Sequence, residues 1–277
     1  MNKKIEQIII LQERGEIMKK IFKMILVVSL FILIALRVDA QAIGWYCIRA
    51  KNHIQPRLDS TLSVVEKYDV YWIDKAHNDA NPEKVIYLTF DAGYENGNVE
   101  KILDVLKEEN VRAGFFVLDN LLLKNHSLVE RMINDGHTIA NHTARHKDMS
   151  RICSKKEFLN EIKALENTFE SEYGRSMVKI YRPPEGKFSI DNLKWASELG
   201  YKTVLWSFAY ADWDNDRQMS PENAKQIILN NIHNGEVMLL HPTSATNAKI
   251  LKEVIIELKN QGYSFGTIEE LCSYENH

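Results

Sequence analysis

The 277-residue chain reads as an α/β protein, a parallel sheet or barrel. Short apolar runs of strand character alternate with helically spaced segments from Val85 onward, and that βα rhythm is the pattern of parallel sheets. No Gly-rich phosphate loop and no low-complexity linker interrupts it. Chemistry-bearing residues sit at or just past the strand-like runs, where barrel sites are built. The length suits a barrel formed as one domain.

The elements follow in order. Ile43 to about Glu83 is a leading segment expected to pack on the barrel, with Trp45 and a helix-like run from Thr61 to Tyr68. Val85 to Phe90 is a buried strand, opening a region that spans residues 84–277. Val99 to Glu109 carries Ile102, Val105 and Leu106 at helical spacing, and Ala113 to Leu118 is the next strand. Leu128 to Asp135 is helical and Thr138 to Ala140 a short strand. Ser154-x-x-Glu157 is a capping box. Phe158, Ile162, Leu165 and Phe169 then mark one helix face, with Gly174 at its end. Ile180 to Arg182, Thr203 to Ser207 and Val237 to Leu240 are later strands. Asp191 to Leu199 and Pro221 to Ile232 are helices between them, the second with Ser220 at the cap and Pro221 at N1. Asn247 to Gln261 is the last long helix; Gly200-Tyr201 and Gly262-Tyr263 are matching exits into strands.

The N-terminus lies outside this pattern. Lys19, Lys20 and Lys23 precede the apolar run Met24 to Leu36, and Ala40-Gln41-Ala42 follows. This is the order of a secretory signal over residues 18–42, behind an upstream extension of residues 1–17. The expectation is an exported protein on the extracellular or cell-wall side, touching a membrane only if that segment stays uncleaved. Residues 43–277 carry 28 Lys/Arg against 34 Asp/Glu, a net charge of −6. Long-range charge would not draw it to anionic polymers, and no basic run suggests nucleic acid. The three cysteines, Cys47, Cys153 and Cys272, cannot form a closed disulfide framework. Cys47 and Cys272 flank the barrel region and could meet. Without a Cys-x-x-Cys, a thiolate zinc site is not expected.

Five segments carry the chemistry: Thr89-Phe90-Asp91-Ala92-Gly93, His142-Thr143-Ala144-Arg145-His146, Arg182-Pro183-Pro184-Glu185-Gly186, Asp212-Trp213 and Leu239-Leu240-His241. His142 and His146, four apart, can reach one ion from a single turn, though such a pair also occurs on polar surfaces. Asp91 is a base, a ligand or a turn cap. Arg182 beside it would favour the charged carboxylate. Asp212 can orient the His241 ring and raise its proton affinity. Trp213 is either core or cleft wall. The inventory suits metal-assisted hydrolysis of an amide or ester.

In order and spacing these segments resemble the five motifs of the NodB-homology polysaccharide deacetylases, carbohydrate esterase family four, from about Val85 to Leu271. The resemblance implies a distorted (β/α) barrel. It makes Asp91 the catalytic base, Arg182 the residue that holds it, His241 the acid and Asp212 its partner. It makes His142 and His146 ligands of a divalent metal, zinc. Leu239 would line the acetyl pocket, and Trp213 and Tyr94 would meet substrate. The family's usual T-F-D-D-G supplies a further carboxylate ligand, and Ala92 stands in its place.

A narrower likeness runs through Thr89 to Gly97, Tyr181 to Pro184 and His241 to Asn247. These segments look like the delta-lactam-biosynthetic de-N-acetylases, which act on muramic acid of spore cortex peptidoglycan and also depart from the second Asp. It implies an N-acetylated glycan as partner. Alternatives in the same fold are an N-acetylglucosamine polymer, chitin oligomer or acetylated xylan as substrate, or a non-catalytic glycan-binding relative.

Overall fold

A computed structural model describes residues 14–26 and 42–273. Residues 14–26 form a helix, α1, in a unit of their own, separate from the compact unit that begins at Ala42. Most of the signal-like segment, residues 27–41, and the first thirteen residues lie outside the described residues. Among the described residues no helix is long and apolar enough to cross a membrane.

The second unit is built on a curled parallel sheet. Its strands are β2 (Val70–Tyr71), β3 (Lys84–Ala92), β4 (Gly114–Val117), β5 (Thr138–Asn141), β6 (Ile180–Tyr181), β8 (Lys202–Val204), β9 (Glu236–Leu240) and β10 (Tyr263–Gly266). They follow the order β10-β3-β4-β5-β6-β8-β2, with β9 also on β3. Ile86 and Tyr87 register with both β9 and β10, and Thr89 and Phe90 with both β9 and β4. So β9 takes one edge of β3 while β10 and β4 share the other. Past β8 the chain returns to β9 through a parallel bridge between Phe208 and Met238. There the Ser207 N–H donates to the Val237 carbonyl (3.0 Å) and the Leu239 N–H to the Phe208 carbonyl (2.9 Å). Two isolated bridges reach β9 where a full strand would otherwise stand, this one and an antiparallel one between Ile73 and Glu236, and this makes the (β/α) barrel distorted.

Side chains alternate across each strand. Val85 and Tyr87 belong to the cluster with Phe116, Ala140, Ile180, Val204 and Val237 inside the curl. Ile86, Leu88 and Phe90 belong to the larger cluster under the helices. The covering helices are α2 (Val99–Glu108), α3 (Asp119–Lys124), α4 (His126–Asn134), α5 (Lys155–Tyr173), α6 (Ile190–Glu198), α7 (Pro221–Asn231), α8 (Ala245–Asn260) and the short α9 (Ile268–Leu271). On α5, Phe158, Ile162, Leu165 and Phe169 are all buried, Ser154 caps the start by accepting from the Glu157 N–H, and Gly174 ends it left-handed. Complete reciprocal boxes form instead at Ser189–Asn192 and Thr267–Glu270.

The leading segment contributes a 3-10 helix, Ser60–Lys67, and β1 (Ile43–Gly44), antiparallel to β7 (Lys187–Phe188). Trp45 donates from its indole N–H to the Trp206 carbonyl at 2.9 Å. Gln55 donates to the carbonyls of Asp74, His77 and Asn234 at 2.8–3.0 Å. Gly235 lies in that crowd at φ +69°, where a Cβ would come within 2.4 Å of the Asp74 carbonyl oxygen, so only glycine fits. All three cysteines are free. The pairing of Cys47 with Cys272 is therefore not made; Cys272 is buried in the barrel's inner cluster, against Tyr71 and Leu271.

Glu236, at the start of β9, is completely buried, and neither carboxylate oxygen meets a hydrogen-bond partner. His233 approaches it, with Nε2 3.6 Å from Oε2. Burial pushes the Glu236 carboxyl well above its usual 4.5, against the weaker pull of the His233 backbone and the Arg49 charge. The folded protein thus holds this proton more tightly than the unfolded chain. Stability is full below about 4.5 and falls as pH rises toward the folded value, by at most about 1.4 kcal/mol per pH unit. Glu236→Gln keeps the shape and removes the ionisation. Thermal unfolding is expected to show a higher Tm for the variant at pH 8 than for the parent, with the gap narrowing at pH 5. A gap independent of pH would show that folding does not raise the Glu236 carboxyl above its unfolded value.

Candidate active site

The barrel mouth is organised around Arg182, which follows β6 directly and has no exposed surface. Its Nη1 donates to Asp91 Oδ1 at 2.8 Å, its Nη2 to Thr89 Oγ1 at 3.0 Å and to the Leu205 carbonyl at 3.2 Å, and its Nε to the Val204 carbonyl at 3.0 Å. The guanidinium lies 3.9 Å from the centre of the Phe116 ring. Asp91 and Thr89 lie two apart on β3 and share its inward face. Burial alone would raise the Asp91 carboxyl. The charges of His142 and Arg182 outweigh it and hold the carboxyl below its ordinary range. Of the two, Arg182 is the one charged at neutral pH, because burial pulls the His142 imidazole down to about 4.

His142 and His146 lie in a turn after β5, not on a helix. Thr143 (φ 69°) and His146 (φ 55°) both take left-handed backbone. The turn is held in several ways. Thr143 N–H donates to Asn141 Oδ1 (2.8 Å) and His146 N–H to Thr143 Oγ1 (3.1 Å). Arg145 and Lys147 reach buried Glu161 on α5 at 2.6 and 2.7 Å. The rings of His142 and His146 meet edge to face, with centres 5.2 Å apart.

His142 Nδ1 is 3.0 Å from the Arg182 carbonyl oxygen. A carbonyl only accepts, so Nδ1 carries the proton and Nε2 a lone pair. That lone pair faces Asp91 Oδ2 at 3.4 Å. Two acceptors so placed call for a cation between them, and two imidazoles with a carboxylate are donors a divalent ion accepts. In kind, the residues fit a weak divalent site. They do not form a finished cage, since no cluster of three or more His, Cys, Asp or Glu among the described residues is arranged to hold an ion. Ala92 adds no donor. It is fully buried in the apolar cluster of Ile86, Leu88 and Phe90.

Across the mouth His241 follows β9. Its Nδ1 is 2.7 Å from Asp212 Oδ1, and its backbone N–H donates to Asp212 Oδ2 at 2.8 Å. Nδ1 is therefore the donor and Nε2 the ring nitrogen left for the cleft. Burial would lower the His241 pKa; the hydrogen bond and charge of Asp212, then the charge of Asp91, reverse this and raise it.

A cleft of about 660 Å³ opens between the two pairs, lined by Asp91, His146, Glu185, Trp206, Ala209, Tyr210, Trp213, Leu239 and His241. That volume suits a sugar-sized ligand. Of the residues singled out from sequence, Asp91, His146, Trp213, Leu239 and His241 line it. His142, Arg182 and Asp212 stand behind them. Trp213 is 61% exposed, a cleft wall and not core. Tyr94 is not on the cleft wall; its hydroxyl accepts from Asn215 Nδ2 at 2.7 Å, near Trp213 in the chain. Sequence reasoning missed Trp206, Tyr210 and Thr89 as site residues. Only Thr89 carried a signal, its two-residue spacing from Asp91 in a strand.

This barrel, with its five motifs gathered at the mouth, is that of a polysaccharide deacetylase, and the chain belongs to that family: residues 78–204 match its model. The relatives are bacterial. Peptidoglycan-N-acetylmuramic acid deacetylase PdaA of Bacillus subtilis is 37% identical over 235 residues, 84% of this chain and 87% of the relative. The solved structure of PdaA, a family 4 carbohydrate esterase, superimposes with a TM-score of 0.78 over 84% of this chain and 97% of that one. A peptidoglycan-N-acetylglucosamine deacetylase of Bacillus cereus is 33% identical over 213 residues, 76% of this chain and 74% of the relative. A family 4 pseudoenzyme from Bacillus anthracis is similar at 26% identity and a TM-score of 0.63, over 69% of this chain and 66% of that one. Enzymes of this family are in general metal-dependent.

Ala92→Asp tests the relation of position 92 to the ion. A carboxylate placed in this apolar cluster is expected to cost on the order of 1–3 kcal/mol without metal. Zinc is expected to raise the Tm of the variant more than that of the parent, because a carboxylate is added to the donors of His142, His146 and Asp91. Equal increments in the two would mean that the side chain at 92 does not reach the ion.

Proposed function

We propose that the protein removes N-acetyl groups from the muramic acid of peptidoglycan. One observation carries the reading. Asp91, whose carboxyl Arg182 helps hold below its ordinary range, and His241, whose imidazole Asp212 holds above its own, face one cleft. Environments that separate two groups in this way define a base and an acid. The similarity to PdaA along most of both chains supports muramic acid as the sugar. The Bacillus cereus relative supports N-acetylglucosamine as the second reading.

In this reading the acetamide lies against Leu239, with the sugar on Trp213. A divalent ion, zinc in our proposal, would be held by His142 and His146 and, when bound, polarises the acetamide carbonyl and a water. Asp91 accepts the proton of the attacking water at the carboxylate oxygen not committed to Arg182. His241 gives its Nε2 proton to the leaving amine, while Asp212 balances the imidazolium charge. The amine and acetate are the products. Delta-lactam formation during sporulation, and export with cleavage ahead of Ile43, belong to the same proposal. The support for export is the basic, apolar and Ala40-Gln41-Ala42 order of the leader.

Acetate release from peptide-stripped peptidoglycan, followed by mass spectrometry of the sugars, tests the activity. New amines on muramic acid are expected; amines confined to glucosamine would move the assignment to the second reading. Asp91→Asn and His241→Ala are each expected to lower kcat on the order of 10²–10⁴-fold. Near-full turnover in either variant would remove that residue from its role. N-terminal sequencing of secreted material is expected to begin near Ile43, whereas membrane-fixed protein starting at Met18 would show an uncleaved anchor.

A further inference from the structure

Asp212 is almost fully buried, and a buried carboxylate can rotate unless each oxygen is claimed. Oδ1 has one partner, the His241 ring. Oδ2 has two: the His241 backbone N–H at 2.8 Å and Asn247 Nδ2 at 2.6 Å. Asn247, in the first turn of α8, has no exposed surface. Its amide can face only one way. Asp212 Oδ2 accepts and cannot donate, so the nitrogen must point to it. The same nitrogen also donates to the His241 carbonyl at 3.1 Å. The amide oxygen is then left for the Tyr210 hydroxyl, which donates to it.

The helix start is itself fixed to the loop that carries Asp212. The Asn247 N–H is capped by Ser244 Oγ at 3.1 Å. Ser244 donates to Gln218 Oε1, and Gln218 Nε2 donates to the carbonyls of Asp212 (3.0 Å) and Asp214 (2.7 Å). Helix α8 therefore grips Asp212 by its carboxylate and by its main chain, and grips His241 by its carbonyl.

We infer that Asn247 is a positioning residue for the acid: with Tyr210 it holds Asp212 so that Oδ1 fixes the His241 ring tautomer while Oδ2 fixes the His241 backbone. The inference rests on the deacetylase reading for its effect on turnover, but not for its effect on the Asp212–His241 hydrogen bond. Asn247 touches neither the cleft nor substrate. Its loss acts through the orientation of two groups, which governs the chemical step more than binding.

The test uses Asn247→Ala and, as a gentler change that spares the helix, Tyr210→Phe. In the parent, proton NMR is expected to show a downfield His241 Nδ1–H resonance, assigned by its loss in Asp212→Asn. Asn247→Ala is expected to shift or broaden that resonance and to lower kcat by about 10–100-fold, with KM within about twofold. Tyr210→Phe is expected to change the same two quantities in the same direction by less. Retention of both resonance and kcat in a folded Asn247→Ala would overturn the inference. So would an unchanged resonance with activity lost only in proportion to the folded fraction. If Asn247→Ala does not fold, an unchanged resonance and kcat in Tyr210→Phe would overturn it. If the parent itself releases no acetate, the deacetylase reading fails, and the resonance comparison alone decides the role of Asn247.

Discussion

A buried guanidinium sits where three strands must agree. Arg182 has its charge matched by Asp91, three further donors taken by Thr89 and by the carbonyls of Val204 and Leu205, and its flat face laid on Phe116. Removing either member of such an ion pair leaves an uncompensated buried charge, a far larger cost than the pair contributes in stability. The pair is therefore best understood as a constraint on geometry. It fixes β3 against β6 and forces the chain after β8 to turn its carbonyls inward. Just past these carbonyls Ser207 and Phe208 bond to β9, so Arg182 is satisfied beside the place where the barrel closes.

The two sides of the cleft are supported by different means. Asp91 belongs to a central strand and is held by charge and burial. His241 belongs to a strand end, but its partner Asp212 lies in a loop, and loops hold side chains less well than strands. The structure compensates with a chain of neutral hydrogen bonds through Gln218, Ser244, Asn247 and Tyr210. Each side thus shifts its group in the direction opposite to the other's, the Asp91 carboxyl down beside a cation and the His241 imidazole up beside an anion.

The side that carries His142 and His146 is the least assembled. His142 presents an unprotonated Nε2 to Asp91 Oδ2 because its Nδ1 proton is spent on the Arg182 carbonyl. Arg182 thereby sets the tautomer of one imidazole as well as favouring the charge of Asp91. The turn that carries His146 is bound to buried Glu161 through Arg145 and Lys147, which keeps its left-handed backbone in place. With Ala92 buried among apolar neighbours, an ion here would find two imidazoles and the carboxylate to which the proposed function assigns the base.

What the sequence determined by itself was the βα order, the bounds of the long elements and the residue types at strand ends. Those are local properties: the face of α5 repeats every three to four residues, and the inward set Val85, Tyr87, Thr89 and Asp91 every two. The five motifs were legible because a parallel barrel brings the C-terminal ends of its strands together whatever the loops do. Tertiary structure alone decided how the groups meet. It placed Asp212 on both His241 and Asn247 across 29 and 35 residues of chain. It gave Arg182 four acceptors on two other stretches of chain, shortened β8, left Cys47 and Cys272 unpaired, and buried the Glu236 carboxylate oxygens without a hydrogen-bond partner. None of these follows from spacing, because each depends on which backbone carbonyls and side chains from distant segments fill the same small volume.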